Sequence, residues 1–150
     1  MDPIHDETLA LATALLARRS VTPDDAGCLD VVAQRLTALG FVCERLDRGG
    51  VANLWARHGS ARPLVCVAGH VDVVPPGPLD AWTSDPFTPT VRDENLHARG
   101  ACDMKGALAA ALTAVERLVR TQPTHRGSVS VLLTSDEEGV AVDEIGRAHV

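Results

Sequence analysis

Aromatic side chains are almost missing from this chain of 150 residues: tyrosine is absent, and phenylalanine and tryptophan occur twice each. That argues against an RNA-stacking surface or an interface anchored on aromatic rings. No apolar run approaches the roughly 18 residues that a membrane-spanning helix needs. The chain also lacks a Lys/Arg cluster, and its net charge is −6, from 14 basic and 20 acidic residues. Nucleic acid is disfavoured as a partner, because nothing offers a phosphate-binding stripe. The first residues, Met1 to Glu7, are acidic and carry no positive n-region, so no secretory signal is expected. Of the four cysteines, Cys28, Cys43, Cys66 and Cys102, no two stand in C-x-x-C spacing. A structural zinc knuckle is therefore not expected. The thiols read as reduced, as in a cytosolic protein.

What is present is ordinary for one soluble domain: 45% apolar and 23% charged residues. Leu9, Leu11, Leu15 and Leu16 fit one face of a helix from about Glu7 to Arg19. Thr22, Pro23 and Asp25 read as an N-cap, an N1 proline and an acidic first turn of a second helix. That helix runs through Leu29, Val32, Leu36 and Leu39 and ends at Gly40. Phe41–Leu46 and Val51–Ala56 read as strands around a Gly49-Gly50 turn. Leu64–Ala68 is a continuous apolar run, the mark of a strand buried on both faces, and Ser128–Thr134 reads as a second buried strand. Thr88–Val91 and Asn95–Ala98 are shorter strand candidates. Between them and the last strand lies a long helix, Ala107–Arg120. The alternation predicts an α/β fold, with a largely parallel mixed sheet and helices on both faces.

Three short segments carry the chemistry. Gly69-His70-Val71-Asp72 follows a buried strand, and ligands of open α/β sheets bind beyond the carboxyl ends of strands. His70 and Asp72, two positions apart, point to the same side of extended backbone. A carboxylate so placed can fix the imidazole tautomer and leave the other ring nitrogen for a metal. Gly100 and Gly106 flank Cys102, Asp103 and Lys105 just before the long helix. Asp136-Glu137-Glu138 follows the last strand, where three neighbouring carboxylates repel one another unless a cation neutralises them. Each segment alone has a plainer reading: a satisfied histidine, an N-cap aspartate, a solvated acidic turn. Together, at intervals of 33 and 34 residues (70 to 103, 103 to 137), they make an N/O ligand set suited to zinc. An aspartate can bridge two metals about 3.5–4 Å apart.

The segments Gly69–Gly77, Arg99–Gly106 and Thr134–Gly139 resemble those of the dinuclear-zinc exopeptidase and deacylase superfamily. Ser20–Cys28, the Pro75-Pro76-Gly77 run and Trp82–Phe87 bring the likeness nearest to the succinyl-diaminopimelate desuccinylase branch. The resemblance spans about Leu9 to Asp143. It implies a zinc-exopeptidase-like catalytic domain holding two Zn2+, with Co2+ as a substitute. In it His70 binds one zinc, Asp103 bridges both, and Glu138 binds the other. Asp72 orients His70, Glu137 is the general base, and the Asp103-Met104 peptide is cis. It further implies a small-molecule substrate, N-succinyl-LL-2,6-diaminopimelate, cleaved to succinate and LL-diaminopimelate by a cytoplasmic homodimer. Val71, His97-Ala98 and Cys102 depart from the usual residues, and His97 is taken as a strand residue. A further zinc-binding Glu, a distant His and a dimerisation domain of the family have no counterpart up to Asp143. Residues 1–143 are thus expected to be the N-terminal part of a catalytic domain, inactive by itself. Ile145–Val150 matches the translation of a common sequencing adapter up to its stop codon, so 144–150 is read as a non-native tail. Another deacylase, such as an acetylornithine deacetylase, and a non-catalytic α/β module are the alternatives.

Overall fold

In a computed structural model, which describes residues 3–143, the apolar periodicities become three helices and six strands. The tail reading concerns 144–150 and lies outside the described residues. Helices α1 (Pro3–Leu16) and α2 (Cys28–Thr37) come first, followed by β1 (Val42–Arg45), β2 (Asn53–His58) and β3 (Leu64–His70). Then come β4 (Thr90–Arg92), β5 (Asn95–His97), α3 (Gly106–Thr121) and β6 (Ser128–Thr134). No helix among the described residues is long and apolar enough to cross a membrane. All four cysteines are free.

The main sheet has the order β1-β2-β6-β3, and β4 and β5 form a separate hairpin. The α/β class and the mixed sheet agree with expectation, but parallel pairing is less prevalent here than the alternation suggested. Only β3 and β6 run parallel, joined by the crossover through α3, whereas β1–β2 and β2–β6 are antiparallel. For the β1–β2 pair the reason is loop length. A parallel crossover needs a dozen or more residues. β1 and β2 are joined by a short turn in which Gly49 and Gly50 take φ of 59° and 87°.

The helices of the described residues share one face of the sheet instead of covering both. Leu11, Leu15, Leu29, Leu36, Leu108 and Leu112 form a single core with Leu54, Ala56, Val129, Val131 and Leu133. Those strand residues alternate, and the register pairs Leu54 with Leu133 and Ala56 with Val131. They therefore present one face. β6 is buried along almost its whole length, as expected, but β3 is not. β3 forms the sheet edge, and Leu64 and Val65 are 43% and 61% exposed. A continuous apolar run shows that a strand can be buried; which strand lies at an edge depends on pairing.

The second helix starts later than expected. The Thr22-Pro23 peptide is cis, Gly27 precedes α2 in the left-handed region, and Cys28 is the first helical residue. Thr22 is drawn elsewhere: its amide donates to the Val73 carbonyl (3.1 Å) and its hydroxyl to Asp136 (3.2 Å). Ser20 lies alongside, its hydroxyl donating to the Val71 carbonyl at 2.7 Å. This N-terminal segment thus braces residues 71–73, just past the end of β3. Lys105, the single lysine of the chain, is fully buried. Its ammonium donates to the Leu15 and Arg18 carbonyls at 2.7 and 2.9 Å, a second donor to each beside the Arg18 and Ser20 amides at the end of α1. The turn ahead of α3 is thereby tied to α1.

Candidate metal centre

β3 and β6 end side by side, with His70 opposite Thr134 in the parallel register. His70 is the last residue of β3, Glu138 lies four residues beyond β6, and Asp103 sits in the turn that opens α3. One nitrogen of His70 and one carboxylate oxygen each from Asp103 and Glu138 lie within 4.8 Å of one another. His70 Nε2 is 3.1 Å from Asp103 Oδ1 and 3.8 Å from Glu137 Oε2. Three separate segments thus bring His70, Asp103 and Glu138 together, with Glu137 beside them. The Asp103-Met104 peptide bond is cis, as the resemblance implies.

Glycine admits the close approaches this needs. A side chain at Gly69 would meet Met104 Cε and Sδ at 2.9 and 3.0 Å, so the turn can lie directly on β3. Gly100 has φ of 83°, and a side chain there would run into Val73.

Asp72 is fully buried and does more than face the imidazole. His70 Nδ1 lies 3.0 Å from the main-chain carbonyl of Asp72 and 3.4 Å from its carboxylate. A carbonyl only accepts, so Nδ1 carries the proton and Nε2 faces Asp103 and Glu137. The two carboxylate oxygens of Asp72 meanwhile accept the amides of Glu137 (3.4 Å) and Glu138 (3.0 Å). One buried side chain therefore aligns the histidine and the Glu-Glu turn.

The electrostatics call for a cation. Burial alone would lower the His70 pKa, but hydrogen bonds and charge from Asp72, with Asp103 adding to them, raise it to about 9. The Asp72 carboxyl is held below its ordinary value: burial opposes this, and the His70 contact and the Glu138 amide outweigh it. Glu138 is pushed up by burial and by the Asp103 charge. One imidazole nitrogen and crowded carboxylate oxygens are a donor set for a divalent metal such as zinc.

The three acidic neighbours prove unlike one another. Asp136 is buried and structural, its carboxylate accepting the Thr22 hydroxyl and the Ala141 amide (2.7 Å). Glu137 is exposed and Glu138 half-buried. The sequence reading left Arg99, Arg92 and Trp82 without a role. They line a cleft of about 530 Å3 that also reaches Asp103, Glu138 and the β5 residue His97. The signal for Arg99 and Trp82 was at hand, since both lie inside the segments that carry the family resemblance.

The fold and this centre define a member of a metallohydrolase group, and comparison with known proteins gives its family. The pattern of Peptidase family M20/M25/M40 matches residues 66–149, more than half of the chain, and the chain belongs to that family. It is 68% identical over 134 residues to a succinyl-diaminopimelate desuccinylase of Azoarcus sp. (strain BH72), covering 89% of this chain and 35% of the relative. A protein of the same name from Thiobacillus denitrificans is 64% identical over 140 residues, covering 93% and 36%. The chain thus spans about a third of the length of these curated relatives. Among solved structures, human carnosine dipeptidase 1 superposes with a TM-score of 0.82 at 26% identity, covering 92% of this chain and 33% of that one. The Bacillus subtilis YXEP protein, a dinuclear metal binding peptidase from the M20 family, shares the fold at a TM-score of 0.63 and 17% identity, over 92% and 37%.

Proposed function

We propose that this chain is the N-terminal part of a two-zinc amide hydrolase that cleaves N-succinyl-LL-2,6-diaminopimelate to succinate and LL-diaminopimelate. The observation that carries the reading is the convergence of His70, Asp103 and Glu138 within 4.8 Å, with the Glu137 carboxylate beside them. The names of the relatives support the substrate. In this reading His70, Asp103 and Glu138 would hold the two metals, with Asp103 shared between them. The metals are zinc, with cobalt as substitute, and when bound they polarise the scissile carbonyl and acidify water. Asp72 orients His70 through Nδ1 and presents Glu137 and Glu138 through their amides. Glu137 accepts a proton from the attacking water and delivers it to the departing amine nitrogen. The amide C–N bond breaks, the acyl half leaves as succinate, and the other half leaves as the free amine.

Residues 1–143 belong to the catalytic domain and 144–150 are a non-native tail. The longer protein is a cytoplasmic homodimer that supplies the remaining metal ligands. Its coverage of about a third of the relatives supports an inactive fragment. The test compares this chain with a gene extended to the relatives' full length, both titrated with Zn2+ and assayed for succinate release. We expect weak zinc binding and no release from the 150-residue chain, and chelator-sensitive release from the longer protein. Hydrolysis of N-acetylornithine alone by the longer protein would move the reading to another deacylase. Zinc binding without any turnover there would move it to a non-catalytic module.

A further inference from the structure

The cleft beside the metal centre is lined by charges of both signs. Asp103 and Glu138 bring carboxylates to it, and Arg92 and Arg99 bring guanidinium groups, with Trp82 and Thr83 also in the lining. Arg99 is held in place. Its guanidinium lies over the Trp82 ring at 5.1 Å, and the indole N–H is itself pinned to the Pro76 carbonyl at 2.9 Å. Its Nε is buried without a hydrogen-bond partner, and its other recorded bond is a long one, 3.5 Å, to the same carbonyl. Arg92 donates to the Thr83 hydroxyl at 2.6 Å. Among the described residues neither arginine pairs with a carboxylate, whereas Arg35, Arg45, Arg48 and Arg120 all do.

A buried guanidinium donor with no partner is unfavourable unless something arrives to accept its hydrogen bond. Its position over the Trp82 ring also restrains the planar fork that can bind a carboxylate in bidentate fashion. We propose that the Arg99–Arg92 pair binds a carboxylate of the substrate and thereby selects acyl or amine groups that carry a second negative charge. The inference rests on the amide-hydrolase reading, and it gives that centre its substrate class. A molecule with its scissile carbonyl at the Asp103–Glu138 side would place a free carboxylate against the arginines. The carboxylate belongs either to the acyl half or to the amine half, and the two are separable by experiment.

The test uses the metal-free chain, so that any carboxylate bound must be held by protein cations. Succinate and LL-diaminopimelate are titrated separately, with acetate and succinamide as controls, and followed by the Trp82 indole N–H resonance. Succinate should move that resonance and acetate should compete with it, while the uncharged succinamide should bind at least tenfold more weakly. A larger response to LL-diaminopimelate would assign the carboxylate to the amine half. Arg99→Gln should weaken binding roughly 10- to 100-fold, the range for a lost charged hydrogen bond. Arg99 also braces Trp82, so Arg92→Gln is the second variant. Arg92 is half-buried and gives up one hydrogen bond, and the loss of affinity should be smaller but clear. If the isolated chain does not fold, the same titrations are run on the metal-stripped longer protein. There, Arg92→Gln should also raise KM for the succinylated substrate and leave kcat nearly unchanged. Absence of binding by both succinate and LL-diaminopimelate, equal binding of succinamide, or affinity within twofold of wild type in both variants would overturn the proposal. Failure of the longer protein to release succinate would defeat the desuccinylase reading and leave the binding result standing.

Discussion

Asp72→Asn tests whether one buried carboxylate organises the centre. The variant keeps the shape, and it keeps the main-chain carbonyl that holds His70 Nδ1 at 3.0 Å. The imidazole tautomer should therefore survive. What changes is the far side. The carboxylate now accepts the Glu138 amide at 3.0 Å and the Glu137 amide at 3.4 Å, one oxygen each. An asparagine offers a single oxygen, so one amide faces an NH2 group. Leaving a buried donor without a partner costs about 1–3 kcal/mol, and the negative charge beside His70 is lost as well. Removing a partner behind a metal ligand lowers affinity typically about 10–100-fold. The persistence of the carbonyl contact places the expected loss near about tenfold. The assay is competition for Zn2+ against a chromophoric chelator. Urea midpoints monitor the fold, and hydrogen exchange is followed at the Glu137 and Glu138 amides. Exchange at those two amides should accelerate while the β3 amides keep their protection. Zinc affinity within twofold of wild type, or unchanged exchange at both amides, would refute the role given to Asp72.

Lys105→Met removes the ammonium that joins the Leu15 and Arg18 carbonyls and leaves each with its main-chain donor alone. At about 1.5–3 kcal/mol per charged hydrogen bond, the urea-unfolding free energy should fall by about 3–5 kcal/mol, and a loss under about 1 kcal/mol would count against the tie. Glu137→Gln in the longer protein should retain zinc within a few-fold and lose at least about 100-fold in kcat, in the range of general-base catalysis, as steady-state kinetics would show. The metal-free chain should depend on pH through His70, whose pKa of about 9 lies above the ordinary 6.5. Its stabilisation is complete below about pH 6.5 and fades as pH rises through 9, by at most about 3 kcal/mol. Thermal melts between pH 6 and 10 check this, and saturating Zn2+, which takes the place of the Nε2 proton, should remove the alkaline loss.

The centre also shows why three acidic neighbours need not share a fate. Asp136 turns inward to the Thr22 hydroxyl and the Ala141 amide, and that fixes the path of the turn. Glu137 and Glu138 are then held from behind by Asp72. Their side chains are left at the mouth of the cleft, beside Asp103 and His70. Like charges are gathered there by buried hydrogen bonds made elsewhere, and this is an arrangement that a bound cation relieves.

Much of this molecule was legible before any contact was known. Helix periodicity in Leu11, Leu15 and Leu16, the glycine after α2, and the run Ser128–Thr134 are local features, and local dihedral preference and side-chain period decide them. The candidate ligands were equally legible, because His70, Asp103 and Glu138 follow strands or open a helix, where an α/β sheet binds its ligands. Other features needed the sheet register. β3 is an edge strand, and the three helices share a face, because β6 pairs with β2 on one side and β3 on the other. Glu116 sits buried in the apolar seam of α3 only because Arg35 of α2 reaches it with two bonds of 2.7 Å. Asp72 reads in sequence as a partner of the nearby His70, yet its carboxylate makes its shortest bond to Glu138, 66 positions away. The cleft lining likewise unites Arg92 and Arg99 with Trp82 and Thr83 from another loop. Such contacts depend on where chain segments cross, and crossing is settled by burial and pairing of the whole fold, which no local pattern encodes.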